Sequence, residues 1–243
     1  MKIISNEKLI KRNAKIAQYT GLAGLLVIIG SIYMFFTQPQ QFALVWGAVL
    51  LGFILSQIGI YFTNRWGRRP RPDEHLTMAL KGLDNNYTLY HYTAPTPHLM
   101  VGPAGVWVLL PRYQKGIITY QKGRWRQRGG GFMVNYMKIF GQEGLGRPDL
   151  EIAAEVESVQ NFFQKKLPDL EIPPIHAALV FTDENVQITA EEAPTPTIQV
   201  KKLKEMIRKK AKSKALSVDR ARLIQQALES EISTVKKVET EAE

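Results

Sequence analysis

Residues 16–64 read IAQYTGLAGLLVIIGSIYMFFTQPQQFALVWGAVLLGFILSQIGIYFTN, 49 consecutive positions without one Asp, Glu, Lys or Arg. That is too long for a buried helix of a soluble domain. Near its middle, Thr37-Gln-Pro-Gln-Gln41 is polar and carries a helix-breaking proline, leaving arms Ile16–Phe36 and Phe42–Phe62 of 21 residues each. At a rise of 1.5 Å per residue, each arm spans a hydrocarbon core of roughly 30 Å. The stretch predicts two transmembrane helices joined by a tight turn. A cleaved signal peptide fits poorly: the apolar run is too long, no small-x-small site follows, and a second span comes directly after.

The flanks predict the orientation. Lys2, Lys8, Lys11, Arg12 and Lys15 precede the first span against Glu7 alone, Arg65, Arg68, Arg69 and Arg71 follow the second, and the turn is uncharged. Positive flanks stay on the cytoplasmic side, so both termini are expected inside a plasma (inner) membrane of bacterial type. Tyr19, Tyr33, Phe35, Phe36, Phe42, Trp46, Tyr61, Phe62 and Trp66 gather mostly toward the span ends, as interfacial anchors do. Small residues recur at four-residue spacing: Ala17/Gly21 and Thr20/Gly24 in the first span, Ala48, Gly52 and Ser56 in the second, with Gly59 on a neighbouring face. Such spacing lets backbones approach in lipid, either within the hairpin or in a homo-oligomer or membrane-protein complex through Ala48, Gly52 and Ser56. Neither span carries an ionisable group, which argues for an anchor and against an ion or proton path.

The whole chain has 243 residues, 13 Pro, 18 Gly, no Cys and 45% hydrophobic residues, which describes one folded domain, or one domain plus an accessory segment. Without cysteine there is no disulfide scaffold, thiolate zinc site, iron–sulfur cluster or thiol nucleophile. The mean hydropathy of −0.16 averages two unlike regions. The net charge of +10 is also unevenly placed: residues 1–15 carry +4, residues 65–71 another +4, and the 172 residues from Pro72 onward only +2. Most of the excess therefore lies at the membrane borders, where topology and anionic lipid account for it.

The remainder divides into patches. Arg112, Lys115, Lys122, Arg124, Arg126 and Arg128 form an acid-free basic run, interleaved with Tyr113, Tyr120 and Trp125 and preceded by Trp107. Lys201, Lys202, Lys204, Arg208, Lys209, Lys210, Lys212 and Lys214 form a second, against Glu205 alone. Each reads either as a solvated face or as a phosphate-binding surface for nucleic acid or anionic lipid, with the aromatics as a candidate stacking platform.

The linker 63–72 ends in Arg68-Arg-Pro-Arg-Pro72, which is extended because residues before proline avoid the α region. Asp73 is expected to cap a helix running to about Leu83. Strands follow at Tyr87–Thr93, His98–Val101, Val106–Leu110, Gly116–Tyr120 and Arg124–Gln127, two pairs of them closed by Gly102-Pro-Ala-Gly105 and Gln121-Lys-Gly123. A glycine-rich loop runs from Gly129 to about Pro148, with Val134–Phe140 open between strand and helix. A helix Asp149–Lys166 precedes the apolar run Ile175–Thr182, which reads as a buried central strand. Short strands Val186–Thr189 and Ile198–Val200 lead to helices Lys201–Lys214 and Val218–Val238, the last capped by Ser217. The order describes an α/β layer with helices against a mixed sheet over about 73–230, and a charged tail at 231–243.

This order resembles the nuclease-related domain (NERD) family of the restriction-endonuclease-like PD-(D/E)XK superfamily. The most specific piece is His98-Leu-Met-Val-Gly-Pro-Ala-Gly-Val-Trp-Val-Leu109. Supporting pieces are Gly116-Ile117 with Trp125 downstream, the Pro148–Phe163 helix, the Ala177–Thr182 strand and the Leu216–Leu228 segment. The resemblance implies a restriction-endonuclease-like mixed-sheet fold with flanking helices. It also implies a metal cradle in which an Asp precedes the first-strand histidine and a Glu-x-Lys ends the second strand, paired carboxylates holding Mg²⁺ for phosphodiester hydrolysis. Carried over by position, the Asp falls on Pro97, the Glu on Leu110 and the Lys on Arg112. Only Glu74 keeps a helix carboxylate.

No Asp or Glu occurs between Asn85 and Tyr136 to rescue the set. The expectation is a membrane-anchored pseudoenzyme without a metal or other cofactor, binding or scaffolding at the cytoplasmic face. Two alternatives stand beside it: an active tethered Mg²⁺ nuclease using relocated carboxylates such as Glu143, Asp149, Glu151 or Glu155, and a structural subunit of a membrane complex. His75, His91, His98 and His176 form no H-x₃-H or H-x-H pair, and no phosphate loop, dinucleotide fingerprint or serine elbow is present.

Overall fold

The computed structural model describes residues 1–129, 144–166, 168, 171, 173–213 and 216–241, with side chains through 233. The predicted segment Val134–Phe140, together with Glu143 and Lys214, lies outside the described residues. The chain forms two compact units, one of residues 7–71 and the other of residues 1–6 with the described residues from 72 onward.

In the first unit, α1 (Glu7–Thr37) and α2 (Phe42–Phe62) pack along their lengths around the short Pro39–Gln41 turn. Their inner seam is made of small residues. A methyl group on Gly24 would meet Ser56 Oγ at 2.6 Å and the Gly52 carbonyl oxygen at 2.9 Å, and one on Gly59 would meet the Gly21 backbone at 2.8 Å. Gly52 and Ser56 are thus engaged within the hairpin, the first of the two uses the sequence allowed. The large side chains point outward: Leu22, Leu25, Leu26, Ile29, Ile32, Leu50, Leu51, Phe53 and Ile54 are all exposed. Phe35, Phe36, Phe42 and Trp46 cluster about the turn, while Tyr61, Phe62 and Trp66 cluster at the far end, with the Arg65 guanidinium 4.2 Å from the Tyr61 ring centre.

The second unit is mixed α/β. Its main sheet has six strands in the order β1-β2-β3-β4-β7-β9: β1 (Lys2–Ser5), β2 (Thr88–His91), β3 (His98–Gly102), β4 (Gly105–Arg112), β7 (Ile175–Phe181) and β9 (Thr197–Gln199). Strands β2, β3 and β4 are antiparallel neighbours, whereas β1 on β2, β4 on β7 and β7 on β9 are parallel. A second sheet, not foreseen from the sequence, has the order β6-β5-β8, from β5 (Ile117–Gln121), β6 (Arg124–Arg128) and β8 (Gln187–Thr189). The helices are α3 (Pro72–Leu80), α4 (Pro148–Lys166), α5 (Leu203–Ser213) and α6 (Val218–Glu241).

Strand alternation divides the core in two. Leu99, Val101, Val106, Val108, Leu110, Leu179 and Phe181 pack with Ile152, Val159 and Phe163 of α4 and with Ile224 and Leu228 of α6. Leu89, Met100, Trp107, Leu109, Ala178 and Val180 pack with Leu76 and Leu80 of α3 and with Leu203 and Ile207 of α5. With helices on both faces, the central strands are continuously apolar. At the β3–β4 turn, Gly105 has φ +101°, and a methyl on Gly102 would strike the Tyr87 ring at 2.2 Å, so both glycines are required.

Three expectations need correction. Residues 1–15 are not merely a basic flank: Lys2–Ser5 pair with Thr88–His91 in the main sheet, and Lys8 to Lys15 lie within α1. Asp73 does not cap its helix, because Pro72 already occupies the first helical position; the Asp73 carboxylate instead faces the dipole from within the first turn. That helix stops at Leu80, with Gly82 at φ +86°, rather than at Leu83. The Ser217 cap is present, its Oγ accepting from the Arg220 backbone N–H at 3.3 Å.

Candidate functional site

The β3–β4 register pairs Leu99 with Val108. Continued past the paired residues, it brings Pro97 level with Leu110, and Arg112 follows two positions on along the same face. Three of the positions implied by the resemblance therefore share the α4 side of the sheet end. Glu74 does not join them, because it stands on α3, which packs against the opposite face. Leu110 is buried in the apolar cluster and Pro97 is exposed.

Arg112 is buried at the end of β4, and its guanidinium pairs with Glu151 in the first turn of α4. Its carbonyl oxygen accepts from Thr182 N–H at 2.7 Å, which ties the ends of β4 and β7 together. One helical turn beyond Glu151, Glu155 accepts a hydrogen bond from Thr96 Oγ1 at 2.7 Å, and Ser158 donates to the Pro95 carbonyl at 3.3 Å. Asp149 is held by Arg147 at 2.8 Å, and that hydrogen bond keeps its carboxyl below the ordinary aspartate range. Of the relocated carboxylates the sequence offered, Asp149, Glu151 and Glu155 each have a separate partner. Among the described residues, Arg112 and Glu151 form a neutral pair at the sheet end, where a divalent ion needs converging anions. Among the described residues, no group of three or more His, Asp or Glu side chains is placed to hold a metal ion.

The structure does pair two histidines that looked scattered. His91 and His98 are cross-strand partners in β2 and β3, and their Nδ1 atoms lie 2.9 Å apart. Thr77 Oγ1 of α3 is 3.0 Å from His91 Nε2, and the Tyr92 ring stands edge-on to His98 at 4.9 Å. An Nδ1–Nδ1 hydrogen bond requires one ring to donate and the other to be neutral. Burial, reinforced by His91, pushes His98 well below the usual histidine range. The available signal was the hairpin register: two histidines seven apart across a Pro-containing loop, one ending β2 and the other opening β3. His176 instead packs on Trp107, with ring centres 4.9 Å apart.

The basic patches separate into structural and exposed members. In the first, Arg112 is buried and Lys115 lies 3.4 Å from Asp183, leaving Lys122, Arg124, Arg126 and Arg128 on the surface. In the second, Lys204 Nζ and Arg208 donate to the Lys81 and Gly82 carbonyls just past the end of α3, while Lys201, Lys202 and Lys209 remain exposed. Trp107, Tyr120 and Trp125 do not accompany the exposed arginines. Trp107 lies in the core with its Nε1 donating to the Ala104 carbonyl, and Tyr120 and Trp125 pack together on the inner face of the small sheet. Their interleaving with arginine in the sequence is strand alternation, which sends the two sets to opposite faces. Comparison with family models, curated proteins and solved structures gave no match, so geometry and chemistry alone assign these sites.

Proposed function

We propose that this chain is an integral membrane protein whose two-helix anchor holds a non-catalytic, nuclease-like α/β domain at the cytoplasmic face, where that domain binds or scaffolds. The observation that carries the anchored reading is the packing of the hairpin: glycines meet inside and leucine, isoleucine and phenylalanine point out. A water-soluble pair of helices would reverse that arrangement, because its stability comes from burying apolar area.

Pairing of β1 with β2 adds a topological constraint. Residues 2–5 precede the hairpin and residues 88–91 follow it, yet they are neighbours in one sheet. This pairing supports a hairpin whose two helices leave and return on the same side of the bilayer. The basic residues at both hairpin ends, against an uncharged turn, make that side cytoplasmic. The silent-enzyme reading draws support from Pro97, Leu110 and Arg112, none of which can ligate Mg²⁺ through its side chain. The restriction-endonuclease-like fold remains part of the proposal, resting on the sequence resemblance.

Because the chain has no cysteine, single introduced thiols report topology directly. In intact cells with a permeable outer layer, Gln40→Cys should react with an impermeant maleimide, and Gln121→Cys only after lysis. Labelling of Gln121→Cys from outside would contradict the orientation. Detergent-solubilised full chain should leave supercoiled DNA intact with Mg²⁺ or Mn²⁺; metal-dependent nicking lost on Glu151→Gln would establish the enzyme reading instead.

A further inference from the structure

We propose that the outer face of the small sheet docks on anionic lipid headgroups, with Arg124, Arg126 and Arg128 as the phosphate contacts; this deepens, and rests on, the anchored reading above. Alternation along β6 places the three guanidinium groups on one face, all exposed, while Trp125 and Gln127 turn inward. At a strand rise of about 3.3 Å per residue, they stand roughly 7 Å apart in a row. Lys122 extends the row at the hairpin turn, where Lys122 (φ +51°) and Gly123 (φ +72°) form a two-residue connection that matches strand twist. None of these four cations makes a hydrogen bond or ion pair with another described residue.

Among the described residues, none of those paired on that face is acidic. The register sets Gln121, Thr119 and Ile117 beside the three arginines, with Gln187 and Thr189 of β8 beyond them. An acid-free row of guanidinium forks suits phosphate oxygens, which each fork can engage with two parallel hydrogen bonds.

Two observations favour lipid over nucleic acid. The aromatic rings that could stack bases, Tyr120 and Trp125, pack on the inner face, so the arginine face offers phosphate contacts without a stacking platform. The anchor also keeps an anionic bilayer at high local concentration, so that a modest attraction per residue suffices.

The test uses the full chain in nanodiscs of phosphatidylcholine, with and without phosphatidylglycerol. A donor fluorophore on Gln121→Cys reports proximity by energy transfer to a headgroup-labelled lipid. Phosphatidylglycerol should raise the transfer, and added salt should reverse the rise. The triple change Arg124→Gln, Arg126→Gln and Arg128→Gln should lower the docked-to-free ratio on the order of a hundredfold. The matching triple change to Lys should retain most of the effect, with unchanged tryptophan fluorescence reporting an intact Tyr120–Trp125 pair in both variants. Transfer that ignores lipid charge, or a lipid effect that survives the Gln triple, would overturn the proposal. So would tighter retention of single-stranded or duplex oligonucleotide than of phosphatidylglycerol by the same arginines. Each of these failures leaves the Gln40 and Gln121 labelling result, and hence the anchored reading, untouched.

Discussion

The helical hairpin and the α/β unit are built on opposite plans. In the hairpin, glycines lie at the centre and Leu26 and Phe36 are 59% and 77% exposed; in the α/β unit, Phe163, Phe181 and Leu109 are at most 2% exposed. The same side-chain types thus obey two rules. The difference is the one expected if lipid rather than water surrounds the hairpin, as proposed above. Where water surrounds the fold, apolar area is its main source of stability; where lipid does, close backbone approach replaces it.

Truncation should separate the regions most sharply. Phe163→Ala should cost the α/β unit about 3–5 kcal/mol, whereas Leu26→Ala should leave hairpin packing nearly unchanged. Thermal unfolding of each variant in detergent checks the contrast, and equal losses would break it. Crowding comes next. Gly102→Ala drives a methyl into the Tyr87 ring and should cost about 1–3 kcal/mol. Its hairpin counterpart is Gly24→Ala, which meets backbone atoms of α2. A methyl on Gly67 would lie 3.7 Å from Ala17 Cβ, a separation suited to a disulfide, so the Ala17→Cys, Gly67→Cys pair should oxidise readily. Adding Gly24→Ala should slow that oxidation, and an unchanged rate would contradict the seam.

Acid should act on the α/β unit alone. His98 is buried and resists protonation in the folded state, so above about pH 6.5 it has no effect on stability. As pH falls below that value the unfolded chain gains a proton the folded chain refuses, and stability should fall by about 1.4 kcal/mol per pH unit until the folded histidine itself titrates. Urea midpoints at pH 7.5 and 5.5 measure this; a flat profile would contradict a buried His98 that stays neutral. The smallest effect is expected at Lys2–Glu229, a 2.7 Å pair between an exposed lysine and a partly exposed glutamate, where Lys2→Ala should change the unfolding free energy from urea titration by less than about 1 kcal/mol.

Much of the architecture was legible because its signals are local. The uncharged block predicts helices whose second member, Phe42–Phe62, matches the predicted span end for end, and Gly102-Pro-Ala-Gly105 and Lys122-Gly123 mark their hairpins. The non-local features were not legible. Nothing in Lys2-Ile-Ile-Ser5 announces a partner more than eighty residues away, and β8 joins β5 across β6, α4 and β7. In the sequence Arg112 looks like one more surface cation, because a local window cannot show that Glu151, 39 residues on, neutralises it. The arginines of β6 were found, but the face they share, and its separation from Trp125, needed the strand register.

The central claim is that lipid surrounds residues 16–62, and membrane extraction tests it most directly. Full-length protein in isolated membranes should stay in the pellet through high salt and alkaline carbonate, and be released only by detergent. Recovery of folded, monodisperse protein in the aqueous fraction without detergent would contradict the account.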